Sequence, residues 1–375
     1  MKNLFIGLMS GTSLDGVDGV LVAFGMPAVP VRVLGHFHQP FAPALARELL
    51  ALNVPGHNEM HRAALAANVI ARVYAQVVEA LLSQSGTQRE QVIAIGAHGQ
   101  TVRHRPAEFD HTGYTVQLNA PALLAELTRI DVIADFRSRD VAAGGQGAPL
   151  VPAFHRAVFG RPHGTVCVLN LGGMSNLTVL GPGDSISGFD CGPGNALMDH
   201  WCLLHTGLKY DDKGRWAACG QANEPLLARM LAEPYFALVP PKSTGRDRFN
   251  AEWLAAQLHG LPGGRSLRPE DVQASLAELT ARVCADAVLR FARDGAELLV
   301  CGGGSLNADL LARLGAHLPG IRVTETDAHG LPAMQVEACA FAWLAHAWTV
   351  RANGSLSEVT GATGPRVLGA LYPAR

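Results

Sequence analysis

The residues with the clearest chemical potential stand near the start of the chain, in Gly11-Thr12-Ser13-Leu14-Asp15-Gly16-Val17-Asp18. Glycines let a backbone approach a ligand closely, the hydroxyls of Thr12 and Ser13 can donate, and Asp15 and Asp18 can hold a hydrated cation. That combination suits a polyphosphate with its magnesium. No Gly-x-x-x-x-Gly-Lys-Ser/Thr is present, so a nucleotide would be held by something other than a Walker A loop. The same residues also read as an ordinary Asp-Gly hairpin turn.

Two later glycine turns have similar potential. Gly172-Gly173-Met174-Ser175 could present N–H groups and a hydroxyl to phosphate as a backbone anion nest. Gly302-Gly303-Gly304, after an apolar run, could let adenine and ribose lie against the backbone; it also reads as a tight strand-to-helix connection and lacks dinucleotide spacing. Asp190 lies between Gly188-Phe189 and Cys191-Gly192-Pro193-Gly194-Asn195, a setting for a carboxylate presented from a stiff loop. Its other reading is a cap on a helix beginning near Asn195.

The elements that must position these groups alternate between strand and helix. Leu4 to Met9 and Gly19 to Val22 predict a hairpin around the first turn. A helix follows over Glu59 to Leu82, then a strand at Val92 to Ile95 and a turn at His98-Gly99. The second half repeats the order: Val166 to Leu171, the Gly172-Gly173 turn, Leu177 to Leu180, a helix over Leu276 to Arg293, and a strand at Leu298 to Cys301. Such repetition hints at duplication of one α/β unit. The glycines at 144, 145 and 147 place a boundary within residues 131–148.

Composition limits the remaining classes. A length of 375 residues predicts about two domains. A formal charge of −2 gives no electrostatic case for nucleic acid or an anionic membrane. Seven cysteines without a C-x-x-C pair fit reduced thiols in a cytoplasm. The apolar run after Lys2 is too brief for a signal peptide, and no stretch approaches eighteen uninterrupted apolar residues.

The opening segment resembles the signature of the anhydro-N-acetylmuramic acid kinases, sugar kinases of the actin/Hsp70/hexokinase-like superfamily. Further matching stretches are Ala97-His98-Gly99-Gln100-Thr101, Asp135-Phe136-Arg137 through Gly147-Ala148-Pro149, Gly188 to Asn195, Lys242-Ser243-Thr244-Gly245-Arg246, and Cys301 to Gly304. Their joint occurrence in this order spans nearly the whole chain. The resemblance implies a two-domain, duplicated ribonuclease-H-like α/β fold with the active site in the interdomain cleft. Residues 1–137 would carry the phosphate turn and part of the sugar site, and residues 138–375 Asp190 and the nucleotide site; the C-terminal segment could pack back on the first domain, a choice the sequence leaves open.

It further implies ATP held by Gly11 to Asp18, Gly172, Gly173, Ser175, Gly192, Asn195 and Gly302 to Gly304, with Mg2+ near Asp15 or Asp18. Asp190 would be the general base. His98, Gln100, Arg137 and Glu337 would face the sugar, Arg137 through its lactyl carboxylate. His98 also reads as a turn-stabilising residue, Arg139 as half of an interdomain ion pair, and Glu337 as the partner of a buried arginine. Lys242 and Arg246 could contact phosphate. In the implied reaction one carboxylate activates water at C1 of a bicyclic sugar while the departing O6 attacks the γ-phosphate. The phosphoryl group takes the leaving oxygen, so the second carboxyl of ordinary glycoside hydrolysis is not needed. The product would be N-acetylmuramic acid 6-phosphate, in peptidoglycan recycling, made by a cytoplasmic homodimer. A conventional sugar kinase and a non-catalytic ATP- or muropeptide-binding sensor share the same glycine turns; indifference to the anhydro bond marks the first, tolerance of Asp190 loss the second.

Overall fold

The computed structural model describes residues 3–375 apart from 12, 27–28, 184, 241, 247, 263–265 and 293–294. The chain forms two compact units, Met1–Val158 with Gln335–Arg375, and Phe159–Met334. The division therefore falls after Val158. The glycines of 144–147 lie inside the first unit, where they form a turn rather than a linker.

In the first unit, strands β1 (Asn3–Met9), β2 (Gly16–Met26) and β3 (Val29–Pro40) form an antiparallel meander. Helices α1 (Pro43–Ala51) and α2 (Glu59–Ser85) follow. Gly86 ends α2 in the left-handed conformation, a form that glycine adopts without Cβ strain. By length and apolarity α2 could cross a membrane, but half of it is buried, with Ile70, Tyr74, Val77 and Leu81 in the core against the sheet. Strand β4 (Val92–Ala97) then pairs parallel to β1. A β5 (Gln100–Pro106) and β6 (Gly113–Leu118) hairpin and helix α3 (Pro121–Thr128) lead to β7 (Val132–Ala134), parallel to β4. Short helices α4 (Ser138–Ala142) and α5 (Val151–Phe159) complete the segment.

The second unit repeats the plan. Strands β8 (Thr165–Leu171), β9 (Met174–Leu180) and β10 (Ile186–Pro193) form the meander. Helices α6 (Ala196–Thr206), α7 (Glu224–Leu231), α8 (Pro234–Ala237), α9 (Ala251–His259) and α10 (Pro269–Phe291) intervene. Then β11 (Gly295–Cys301) runs parallel to β8, and after α11 (Ala308–His317), β12 (Arg322–Glu325) runs parallel to β11. The order β10-β9-β8-β11-β12 matches β3-β2-β1-β4-β7 strand for strand and sense for sense. This is the duplicated ribonuclease-H-like arrangement. Helix α10 is apolar nearly all round because it is buried nearly all round, with Leu276, Leu279, Val283 and Val288 in one core with Leu169, Leu298 and Val300.

The C-terminal segment returns to the first unit. Helix α12 (Val336–Thr349) lies on β1 and β4, α13 (Ser357–Thr360) follows, and β13 (Ala370–Tyr372) pairs antiparallel with β7. Gly7 and Gly96 are register partners on β1 and β4. A Cβ on Gly7 would lie 1.9 Å from Ala338 O, and one on Gly96 2.0 Å from Phe341 O. Two missing side chains thus let the backbone of α12 rest directly on the sheet.

Candidate active site

In the first unit the β1–β2 turn is shorter than the sequence motif suggests. Gly16, Val17 and Asp18 already belong to β2, and Val17 is fully buried in the core, so its side chain cannot face a ligand. Gly16 is required by packing, since a Cβ there would lie 2.4 Å from Gln39 O. Leu14 takes a positive φ of 58°, an uncommon conformation outside glycine, asparagine and aspartate. Ser13 Oγ donates to Asp15 Oδ1 at 2.7 Å on the exposed tip. Asp18 Oδ1 meets His36 Nε2 at 3.0 Å and His38 Nδ1 at 3.1 Å on β3. Thr12 lies outside the described residues.

A buried lock fixes this turn to the one after β4. Ser10 Oγ donates to Gly99 O at 3.1 Å and lies 3.2 Å from Tyr74 Oη, which accepts from Gly99 N–H at 3.0 Å. Burial pushes the Tyr74 phenol up to about 12, so it stays protonated. Gln100 Nε2 donates to Gly11 O at 3.0 Å, while its Oε1 is buried with no partner among the described residues.

Arg137 reaches His98 Nε2 through Nε at 3.2 Å and Nη2 at 2.9 Å, and Gly147 O through Nη1 at 2.8 Å. An arginine only donates, so Nε2 is the bare nitrogen and Nδ1 carries the proton. Burial, and then the guanidinium, hold His98 well below its ordinary value. Burial lowers Arg137 to about 10, opposed by the charges of Glu337 and Asp140. Glu337, in the first turn of α12, thus lies within electrostatic reach of the half-buried Arg137. Asp140, fully buried, accepts from Gly147 N–H and Thr360 Oγ1, both at 2.8 Å, and so ties Arg137's partner loop to α13. Arg139 is exposed.

In the second unit Asp190 sits on a strand, β10, rather than on a loop, beside a break in the β9–β10 register between Asp190 and Gly192. It caps no helix: Asn195 precedes α6, and its Nδ2 donates instead to Leu171 O at 3.2 Å. Asp190 Oδ2 accepts from Thr244 N–H at 2.9 Å, and Asp190 N–H donates to Lys242 O at 3.2 Å. Tyr235 Oη donates to Asp190 O at 2.8 Å. Burial pushes the Asp190 carboxyl up to about 6, opposed by the Thr244 N–H and Lys242. A carboxylate so placed can take a proton near neutral pH. Lys242 Nζ lies 4.8 Å from the Tyr235 ring centre, and burial lowers its pKa.

The glycine turns of this unit adjoin one another. Gly172 and Gly173 join β8 to β9, and their carbonyls accept from the N–H groups of Asn195, Gly194 and Ala196. The Arg246 guanidinium lies over Gly173, where Nη2 would be 3.4 Å from a Cβ. Gly302 has a φ of 81°, and a Cβ there would lie 2.3 Å from Asn170 Oδ1. Gly303 begins a 3-10 turn, and Gly304 packs against Leu171 and Asn195. Three residues of this unit assigned to nucleotide by sequence, Ser175, Gly192 and Gly304, are buried. Ser175 spends its hydroxyl on Gly192 O at 3.1 Å, and Gly192 is small because Phe236 packs 2.7 Å from its Cβ position.

The family model described as anhydro-N-acetylmuramic acid kinase matches residues 3–374. The chain belongs to the anhydro-N-acetylmuramic acid kinase family. It is 62% identical over 376 residues to the anhydro-N-acetylmuramic acid kinase of Variovorax paradoxus (strain S110), covering 99% of each chain. It is 58% identical over 394 residues to that of Albidiferax ferrireducens, covering 100% of each. The anhydro-N-acetylmuramic acid kinase of Bordetella petrii is 59% identical over 372 residues, 99% of this chain and 96% of the relative. The chain is therefore a sugar kinase.

Within this anhydro-N-acetylmuramic acid kinase family member, no cluster of three or more metal-ligating side chains occurs among the described residues. Kinase Mg2+ typically keeps several waters and takes one or two carboxylates besides phosphate oxygens. The exposed carboxylate of Asp15 fits that role, whereas Asp18 shares one oxygen between two imidazoles. Sequence reasoning passed over Tyr74 and Asp140 in the first unit and Tyr235 in the second, each of which ties together segments of its own unit. Only their distant partners mark them out.

Proposed function

We propose that this chain couples hydrolytic opening of the 1,6-anhydro ring of 1,6-anhydro-N-acetylmuramic acid to phosphorylation at O6, giving N-acetylmuramic acid 6-phosphate and ADP. The observation carrying this reading is Asp190, a half-buried carboxylate raised to about 6 and oriented by Thr244, in a chain of this family from end to end. Asp190 takes a proton from water as the water oxygen bonds to C1. The C1–O6 electron pair passes to O6, which takes the γ-phosphoryl group from ATP.

ATP would meet Gly11, Ser13, Gly172, Gly173 and the Gly302 to Gly304 turn, whose backbone groups suit phosphate and nucleoside. Mg2+, held through water by Asp15, would offset charge on the transferring phosphoryl. Arg137 and Glu337 would orient the sugar, with His98 and the buried Gln100 Oε1 behind them. Placement in the cytoplasm, peptidoglycan recycling and assembly as a homodimer go with the same reading and rest on the family alone.

Turnover with ATP, Mg2+ and the anhydro-sugar in 18O-labelled water tests it by mass spectrometry. Label at the anomeric oxygen together with phosphate at O6 is expected. Phosphorylation of the intact bicycle would make the chain a conventional sugar kinase, and absence of product a sensor.

A further inference from the structure

Thr244 Oγ1 is buried and has no hydrogen-bond partner among the described residues. Leaving such a hydroxyl unpaired is destabilising, and buried side-chain polar atoms are mostly paired. Valine would fill nearly the same volume without that cost. The hydroxyl belongs to the residue whose amide N–H holds Asp190 Oδ2 at 2.9 Å, so it stands within one residue's breadth of the carboxylate. Its position is not left to a free loop. Asp190 N–H binds Lys242 O, Tyr235 Oη binds Asp190 O, and Lys242 Nζ lies over the Tyr235 ring. These contacts clamp the 242–244 segment onto β10 from both sides of Asp190. Asp190 Oδ1 receives no hydrogen bond from a described residue, so this oxygen of the carboxylate is open to a water while Thr244 N–H holds the other.

Resting on the reading of Asp190 as the base, we infer that Thr244 Oγ1 and Asp190 Oδ1 together hold the attacking water. The water donates one hydrogen to Oδ1 and the other to Thr244 Oγ1, which leaves a lone pair for C1. On attack the first proton passes to Oδ1, the water oxygen bonds to C1, and the C1–O6 pair goes to O6. O6 then displaces ADP from the γ-phosphorus. Thr244 is thus a positioning residue: its amide aims the base, and its hydroxyl aims the nucleophile.

Thr244→Val keeps the amide and removes the hydroxyl; Thr244→Ser keeps both. The valine variant is expected to lose roughly tenfold in kcat, the worth of one hydrogen bond of about 1.4 kcal/mol. KM for either substrate and the acid limb of the pH profile should stay at the parent values, and Tm without ligands should not fall. Serine should restore kcat to near the parent rate. Parent kcat in the valine variant, equal impairment in the serine variant, a loss carried wholly by KM, or a lowered Tm would each overturn the inference. Asp190→Asn run alongside separates the two levels. If it keeps activity, the reading of Asp190 itself fails; if it is inactive while Thr244→Val is unimpaired, only the role of Thr244 fails.

Discussion

Arg137 and His98, 39 residues apart, meet through two hydrogen bonds onto one ring nitrogen, Nε2, at 3.2 and 2.9 Å. The arginine thereby fixes the imidazole as the neutral Nδ1–H tautomer. A guanidinium cannot accept, so protonating Nε2 would set two donors against each other. Arg137→Met should raise the pKa of His98, since it removes a positive charge and frees the nitrogen. NMR titration of the imidazole reads this directly: the parent ring stays neutral from pH 8 down to its ordinary 6.5 and below, and the variant begins to charge at higher pH. Identical titrations would show that burial alone keeps His98 neutral.

Asp190 should place the acid limb of the rate profile near 6 rather than near 4. The base acts as a carboxylate, so activity falls as pH drops through about 6. Stability runs the other way. A carboxyl raised in the folded state contributes stability that is present below its ordinary 3.8 and lost as pH rises through about 6. Asp190→Asn should therefore be inactive yet at least as stable as the parent at pH 8, with the difference shrinking toward pH 5. Denaturant midpoints at the two pH values check it, and a variant less stable at pH 8 than at pH 5, relative to the parent, would sink the assignment.

Gly96→Ala should cost more than about 3 kcal/mol, because its Cβ would enter the backbone of α12 at 2.0 Å from Phe341 O. Gly315→Ala is the control. It lies within α11 with nothing within 4 Å of its Cβ position, and alanine there should add up to about 1 kcal/mol. Chemical denaturation of both variants decides the point; similar midpoints would mean that α12 is not held on β1 and β4 as described.

Much of the fold could be read directly from residue order. The β1–β2 hairpin, α2, β4, β8 and β11 follow from runs of apolar residues and their spacing, which are local signals. Helix α10 was recognisable, but it begins at Pro269, seven residues before its apolar pattern stands out. Strand β3 and the β5–β6 hairpin were missed. Leu34-Gly35 interrupts the alternation of Val31, Val33 and Phe37 with Arg32, His36 and His38 in β3, and β5 and β6 have one partner each and a largely exposed face.

The site divides in the same way. Its glycine turns were visible because close backbone approach demands glycine wherever the chain goes. Asp190 stood out through its neighbours, although its position on a strand did not. Its partners Tyr235 and Thr244 lie 45 and 54 residues away, and no local pattern joins them. The pairing of Asp18 Oδ1 with His36 and His38 likewise exists only because β3 lies beside β2.

The sequence by itself determined the kinase family, the repeated order of strands and helices, and the residue types available for phosphate and proton chemistry, because these depend on composition and near-neighbour spacing. Tertiary structure alone decided that residues 335–375 join the first unit, that Arg137 sets the tautomer of His98, and that Thr244 aims Asp190. Each of these depends on contacts closed over tens to hundreds of residues, whose geometry exists only once the sheets and their covering helices have packed.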